Sequence, residues 1–191
     1  MSSAKFNVID NNVDGLLYIN PIVSFKRFRI KNSSGGWVLH SPLQGDLWPF
    51  KIALKAYIDK TSKPPCDITR DSSVGIYSTK NTCNDDYLSR YILGTIYSWG
   101  RIIEHENGYR SEFAYIKSIE SIPCSICCIS IKDIDNSFYL DSPGCVAILC
   151  SSCYTTQYRY SKSLFGSIEK YPIRAVLESL VYSYGLECFL L

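Results

Sequence analysis

Histidine is nearly missing from this sequence: His40 and His105 are the only two among 191 residues. No H-E-x-x-H, no G-x-S-x-G and no phosphate-cradling glycine loop occurs, so the familiar metalloprotease, hydrolase and P-loop readings lack a starting point. An excess of charge of one sign is also lacking. Twenty Lys+Arg stand against eighteen Asp+Glu, for a formal charge of +2, which argues against the strongly basic footprint of a dedicated duplex-DNA binder. No apolar run approaches the length of a membrane span, and charges interrupt those present. The opening stretch, Met1 to Asp10, has no basic segment followed by an apolar core of the signal-peptide kind. These absences predict a soluble cytoplasmic protein with no membrane partner.

What the chain does have is core-forming material. It is 46% hydrophobic, 20% charged and 14% aromatic, with 15 Tyr and 8 Phe, a balance that supports a buried core rather than disorder. Its length suits a single domain over 1–191.

Nine cysteines are present. An odd number, no secretory signal and a domain large enough to fold unaided favour thiols or thiolate–metal bonds over disulfides. Cys66, Cys83 and Cys188 are scattered and read as small buried hydrophobes. The other six crowd together, and among them are two C-x-x-C pairs, Cys124/Cys127 and Cys150/Cys153, with 22 residues between the pairs. Two intervening residues let both sulfurs of a tight knuckle reach one tetrahedral ion, and a second knuckle completes the shell. Asp141 to Gly144 has the composition of a turn, so a hairpin between the knuckles is expected. A structural Zn2+ held by Cys124, Cys127, Cys150 and Cys153 is the leading reading, with a zinc-knuckle segment at about 121–155. Cys128 and Cys145 adjoin this arrangement and leave the ligand choice open. Reduced core cysteines and a redox dithiol are the alternatives, though β-formers rather than a strand-to-helix junction flank both pairs.

The rest reads as α+β: a mostly antiparallel sheet, a long hairpin at about 91–119, a zinc-ribbon-like insertion, and a C-terminal helix packed on the sheet. Leu16 to Ile19 and Phe25 to Ile30 are β-like, and the latter alternates, with Lys26, Phe28 and Ile30 on one side. The turn cluster Asn32 to Gly36 followed by Trp37 to His40 predicts a first hairpin. Trp48 to Ile58 fits a period of two and predicts a strand, whereas Val74 to Ser78 suggests a short helical turn. Ile173, Val176, Leu177, Leu180, Val181 and Tyr184 recur at helical spacing, with Pro172 suited to the first turn and Gly185 to the left-handed end.

Asn107-Gly108 between two β-rich runs predicts a type I′ turn. That register places Trp99, Arg101, His105, Arg110 and Glu112 on one face, and Glu104, Glu106 and Tyr109 on the other with Phe113; a one-residue bulge would regroup them. An ion-pair ladder of Arg101, Arg110, Glu104, Glu106 and Glu112 is one expectation. Trp99, Arg101, Glu104, His105, Tyr109, Arg110 and Glu112 also form a candidate binding surface, since Arg, Trp and Tyr dominate interface hot spots.

Gly75-Ile-Tyr-Ser78, Leu93-Gly-Thr-Ile-Tyr-Ser-Trp-Gly-Arg101 and Glu104-His-Glu-Asn-Gly-Tyr-Arg-Ser-Glu-Phe-Ala-Tyr115 carry a resemblance. They are similar to an uncharacterised family of bacterial hypothetical proteins with a G-I-Y-A segment and a W-G-R…E-H-x-x-G-Y-R-A-E-x-A-Y hairpin. Leu180-Val-Tyr-Ser-Tyr-Gly185 is similar to that family's following helix end. The family has no established activity, so the resemblance implies the hairpin and no function. This chain departs from it at Asp71 to Val74, where many relatives place cysteines, and the double knuckle looks like an insertion.

Three functions follow as expectations. The first is a non-enzymatic, zinc-stabilised binding or accessory domain with a protein partner. The second is a nucleic-acid-binding zinc ribbon, for which Tyr154, Tyr158, Arg159, Tyr160 and Lys162 interleave rings with cations. The third is an enzyme using His105 as base beside Glu104 or Glu112.

Overall fold

A computed structural model describes residues 16–42, 45, 47–56, 68, 73–82, 90–142, 145–158 and 168–188. The chain divides into two compact units, one of Met1–Lys26, Lys51–Cys83 and Thr95–Lys117, the other of Arg27–Phe50, Asn84–Gly94 and Ser118–Leu191. Strands β1 (Leu16–Ser33), β5 (Ile92–Glu104) and β6 (Gly108–Ser121) contribute residues to both. Strand pairing is mostly antiparallel, and few residues are helical.

In the first unit, β6 is the organising strand. Strand β4 (Ile76–Thr79) pairs with it from Ile76↔Ser111 to Thr79↔Gly108, and β3 (Leu54–Lys55) pairs at Leu54↔Ala114. A small core of Ile68, Val74 and Ile103, backed by Ala56, fills the space beside them. Of the expected helical turn at Val74 to Ser78, Ile76 to Ser78 therefore lie in a strand, with Val74 and Gly75 leading into it. Tyr77 and Ile76 project to opposite sides of it, Ile76 buried and Tyr77 exposed, as a period of two requires.

The expected strand over Trp48 to Ile58 is also corrected. Only Leu54–Lys55 is extended and paired, while Tyr57 and Ile58 lie outside the described residues. Pro49 supplies no ladder donor, and Lys51 adopts φ 55°, which turns the chain out of a strand.

In the second unit, β1 pairs with β2 (Gly36–His40) from Ser33↔Gly36 to Arg29↔His40, which is the hairpin expected at Asn32 to Gly36. Phe28 and Ile30 are buried and Arg29 is exposed, so the alternation seen in the sequence holds. Strands β7 (Phe138–Ser142) and β8 (Cys145–Leu149) form the hairpin between the cysteine pairs, and β9 (Glu169–Pro172) joins the far side of β7. A short turn of helix, α1 (Ser151–Cys153), follows β8. Helix α2 (Ile173–Tyr184) buries Ile173, Val176, Leu177, Leu180 and Tyr184 and packs against β2 and β9.

Gly185 ends α2 at φ 67°, its N–H donating to the Val181 carbonyl. Pro172 sits one place earlier than expected, as the cap and the last residue of β9. Tyr184 closes this core: its hydroxyl accepts from the Leu39 N–H at 2.8 Å and donates to the Trp48 carbonyl at 3.0 Å. Strand β10 (Glu187–Cys188) pairs in parallel with β6 at Ser118 and Ile119. Among the described residues, no helix is long and apolar enough to cross a membrane.

Candidate metal centre

The first cysteine pair sits on a tight loop held by several backbone hydrogen bonds. Pro123 and Ser130 bridge its base, and the Ile131 N–H reaches the Ile122 carbonyl. Inside the loop the Cys128 N–H donates to the Cys124 carbonyl, and the Cys124 N–H to the Ile129 carbonyl, both at 2.9 Å. Turning the chain this sharply places Cys128 at φ 59°, a left-handed position that non-glycine residues occupy only at a cost.

Ser125 ties the loop to the hairpin that carries the second pair. Its N–H donates to the Ile148 carbonyl at 2.7 Å, and its hydroxyl accepts from the Ile148 N–H at 2.9 Å. Cys150 follows directly after β8 and caps α1, its Sγ accepting from the Cys153 N–H at 3.5 Å.

These restraints converge four sulfurs. The Sγ atoms of Cys124, Cys127, Cys150 and Cys153 all lie within 4.8 Å of one another, and Cys127 and Cys150 are 4.0 Å apart. Thiolates at about 2.3 Å from a tetrahedral Zn2+ are separated from each other by about 3.8 Å. A disulfide needs about 2.05 Å. All four are free thiols, so the spacing fits ligation of one metal ion and not pairwise oxidation. Cys124 is buried, Cys150 and Cys153 are half-buried, and Cys127 is exposed. Cys128, exposed and turned out by its left-handed backbone, is not part of the cluster; the side chain of Cys145 lies outside the described set.

Three of the thiols, Cys124, Cys127 and Cys153, are shifted by burial and by one another. Burial raises the Cys124 thiol, but N–H groups of Cys150, Cys127 and Ile126 outweigh it and hold the group at about 7. Ile129's backbone N–H favours the Cys127 thiolate, yet burial and the neighbouring Cys124 leave that thiol raised. Cys153 is pushed up to about 12 by burial and by hydrogen bonds within the sulfur cluster. One sulfur is thus ready to ionise, and two keep their protons until a cation arrives.

The hairpin candidates are arranged differently from the expected register. The His105 N–H donates to the Gly108 carbonyl at 2.9 Å, so the two-residue connection is Glu106-Asn107. Neither Asn107 nor Gly108 has positive φ, which removes the type I′ turn. Gly108 is needed for space instead: a Cβ there would meet the Ser78 carbonyl oxygen at 2.1 Å.

The face assignment changes as well. Trp99 stacks on Phe113 at 5.9 Å and 15°, although the expected grouping separated them. Gly100 adopts φ 77° within β5, the geometry of a bulge that shifts facing by one residue. The expected Arg–Glu ladder is replaced in part by lysines of adjoining segments: Lys80 pairs with Glu104 at 2.8 Å and Lys55 with Glu112 at 4.0 Å. Glu112 also accepts from the Arg101 N–H at 3.3 Å. Lys80 also lies over the Tyr109 ring. Arg110 is 3% exposed and fills the space above Gly75, so it supports packing rather than an interface. His105 and Glu106 are exposed at the hairpin end.

Comparison with protein-family models, with curated proteins and with solved structures gives no match. The four-sulfur cluster is the feature on which a functional reading stands. Sequence spacing identified its members but missed Ser125, whose two bonds to Ile148 link the knuckles; a serine between two cysteines gives no signal of that role.

Proposed function

We propose that Cys124, Cys127, Cys150 and Cys153 bind one structural Zn2+, making residues 121–155 a zinc-ribbon-like element of a non-enzymatic binding or accessory domain for a protein partner. The supporting observation is the mutual approach of four thiol sulfurs within 4.8 Å. Soft thiolates select zinc over hard cations, and four protein ligands fill a tetrahedral shell, leaving no position for a reacting water. The metal would lock the loop of Cys124 to the end of β8, and so the β7–β8 hairpin to its preceding segment.

Binding rather than catalysis is favoured by what surrounds the ligands. Ile126 and Ile129 are 40% and 68% exposed beside them, apolar side chains of the kind a partner protein covers. His105, the candidate base, sits exposed at a hairpin end, without the enclosure a catalytic site needs.

The test is native mass spectrometry of the chain purified without chelators. One zinc per chain is expected, and its loss in a Cys124→Ser/Cys153→Ser double variant. A metal-free protein, or one carrying disulfides among these four cysteines, would refute the assignment. For the partner, Ile129→Asp is expected to retain zinc and lose a protein that the wild type retains by cross-linking in its own cells; equal recovery by both would refute this surface.

A further inference from the structure

A cavity of about 800 Å³ opens in the second unit, within the size range of small-molecule sites. Its lining brings together three separate stretches of chain: the β1–β2 hairpin, Arg90 to Ile92, and the β7–β8 hairpin. Its accessible apolar lining is Val146, 48% exposed, with the half-buried Pro42 and Tyr91, while Phe28, Ile30, Ile92 and Ile148 are buried. Arg29, Lys31 and Arg90 also line it and are exposed. Among the described residues, none of these three cations takes part in an ion pair.

Arg29 is held in place by Tyr91, donating to its hydroxyl at 2.6 Å with the guanidinium 4.9 Å from the ring centre. Three cations around an apolar concavity leave a positive field where water is partly excluded, and arginine forks match phosphate oxygens. A bare inorganic anion would leave the apolar lining unused. One lining residue carries the opposite sign: Asp141. Its carboxylate would repel a phosphate beside it but accepts readily from the exocyclic amino group of a base.

We propose that this cavity binds a nucleoside monophosphate, with Arg29, Lys31 and Arg90 on the phosphate, the base against Val146, Pro42 and Tyr91, and Asp141 accepting from the base's amino group. Guanidinium planes and tyrosine rings supply the stacking surfaces that bases use. The proposal is independent of the zinc assignment, since no cysteine lines the cavity among the described residues.

Equilibrium dialysis of the full chain against labelled AMP, GMP, CMP and UMP, with uridine, adenosine and inorganic phosphate as competitors, tests it. At least one amino-bearing nucleotide is expected to be retained more strongly than UMP. The nucleosides and inorganic phosphate should each compete at least tenfold more weakly than the retained nucleotide. Arg90→Ala and Lys31→Ala should each weaken retention about tenfold, and Asp141→Asn should remove the preference over UMP. Both cations are exposed, so unchanged urea midpoints are expected in these variants, and either one suffices if the other is unstable. Retention of none of the four, equal competition by a nucleoside or by phosphate, or equal retention by the wild type and the folded cation variants would overturn the proposal.

Discussion

Loading zinc onto this cluster must displace protons, and the structure sets how many. At pH 7 the Cys127 thiol, raised above its ordinary value, and the Cys153 thiol, at about 12, are both protonated, while Cys124 at about 7 is half so. These three ligands therefore give up about 2.5 protons when the metal binds. The sign follows directly: protons compete with the metal, so affinity falls as pH falls. Between pH 7 and pH 6, the two fully protonated thiols each contribute tenfold, and Cys124 contributes about fivefold more as its own proton returns. These three ligands alone should then lower the apparent zinc affinity at least about 500-fold, or ~3.7 kcal/mol. Zinc transfer from the holo-protein to a chromophoric chelator at pH 6.0 and 7.0, corrected for the chelator's own titration, measures this. A change below tenfold would mean that no more than one thiol proton is displaced, which is incompatible with four-thiolate ligation.

Three substitutions probe the scaffold around the site. Tyr184→Phe leaves the buried Leu39 N–H and Trp48 carbonyl without the hydroxyl that joins them, and should cost about 2–4 kcal/mol in urea unfolding; a loss under 1 kcal/mol would show that the bridge is dispensable. Gly108→Ala drives a methyl into the Ser78 backbone, so the chain should be destabilised by about 1–3 kcal/mol, seen as a lowered thermal midpoint. An unchanged midpoint would contradict the close approach of β4 and β6. Cys128→Gly relieves the left-handed strain at φ 59° and should leave stability equal or higher by up to about 1 kcal/mol. Its zinc content by elemental analysis should stay at one per chain; a loss of metal would make Cys128 a ligand.

What the sequence disclosed, and what it hid, follows the range over which each feature is decided. A C-x-x-C pair is local: two residues fix how far apart its sulfurs lie, so both knuckles were readable before any fold was known. The α2 stripe and Gly185 are local in the same sense. The hairpin register is not. Asn107-Gly108 has the composition of a type I′ turn, yet the glycine is consumed by the approach of Ser78 from a strand almost thirty residues earlier.

Gly100 shows the same conflict on a strand. Its positive φ moves Trp99 onto Phe113, and nothing in a glycine between Trp and Arg announces a bulge. Trp48 to Ile58 alternates like a strand, but Trp48 is taken into the core of Leu39 and Tyr184, while Leu54 pairs with Ala114. Lys51 must turn between those two commitments, and a two-residue period is broken at that point. The cavity of Arg29, Lys31 and Arg90 stands furthest from local reading. No window of sequence contains Arg90 together with β1, and charge counted over the whole chain cancels to +2 while charge counted around that opening does not. Net composition argued against a general affinity for nucleic-acid backbones; it carried no information about three cations gathered at one concave place, because that gathering is made by the pairing of strands.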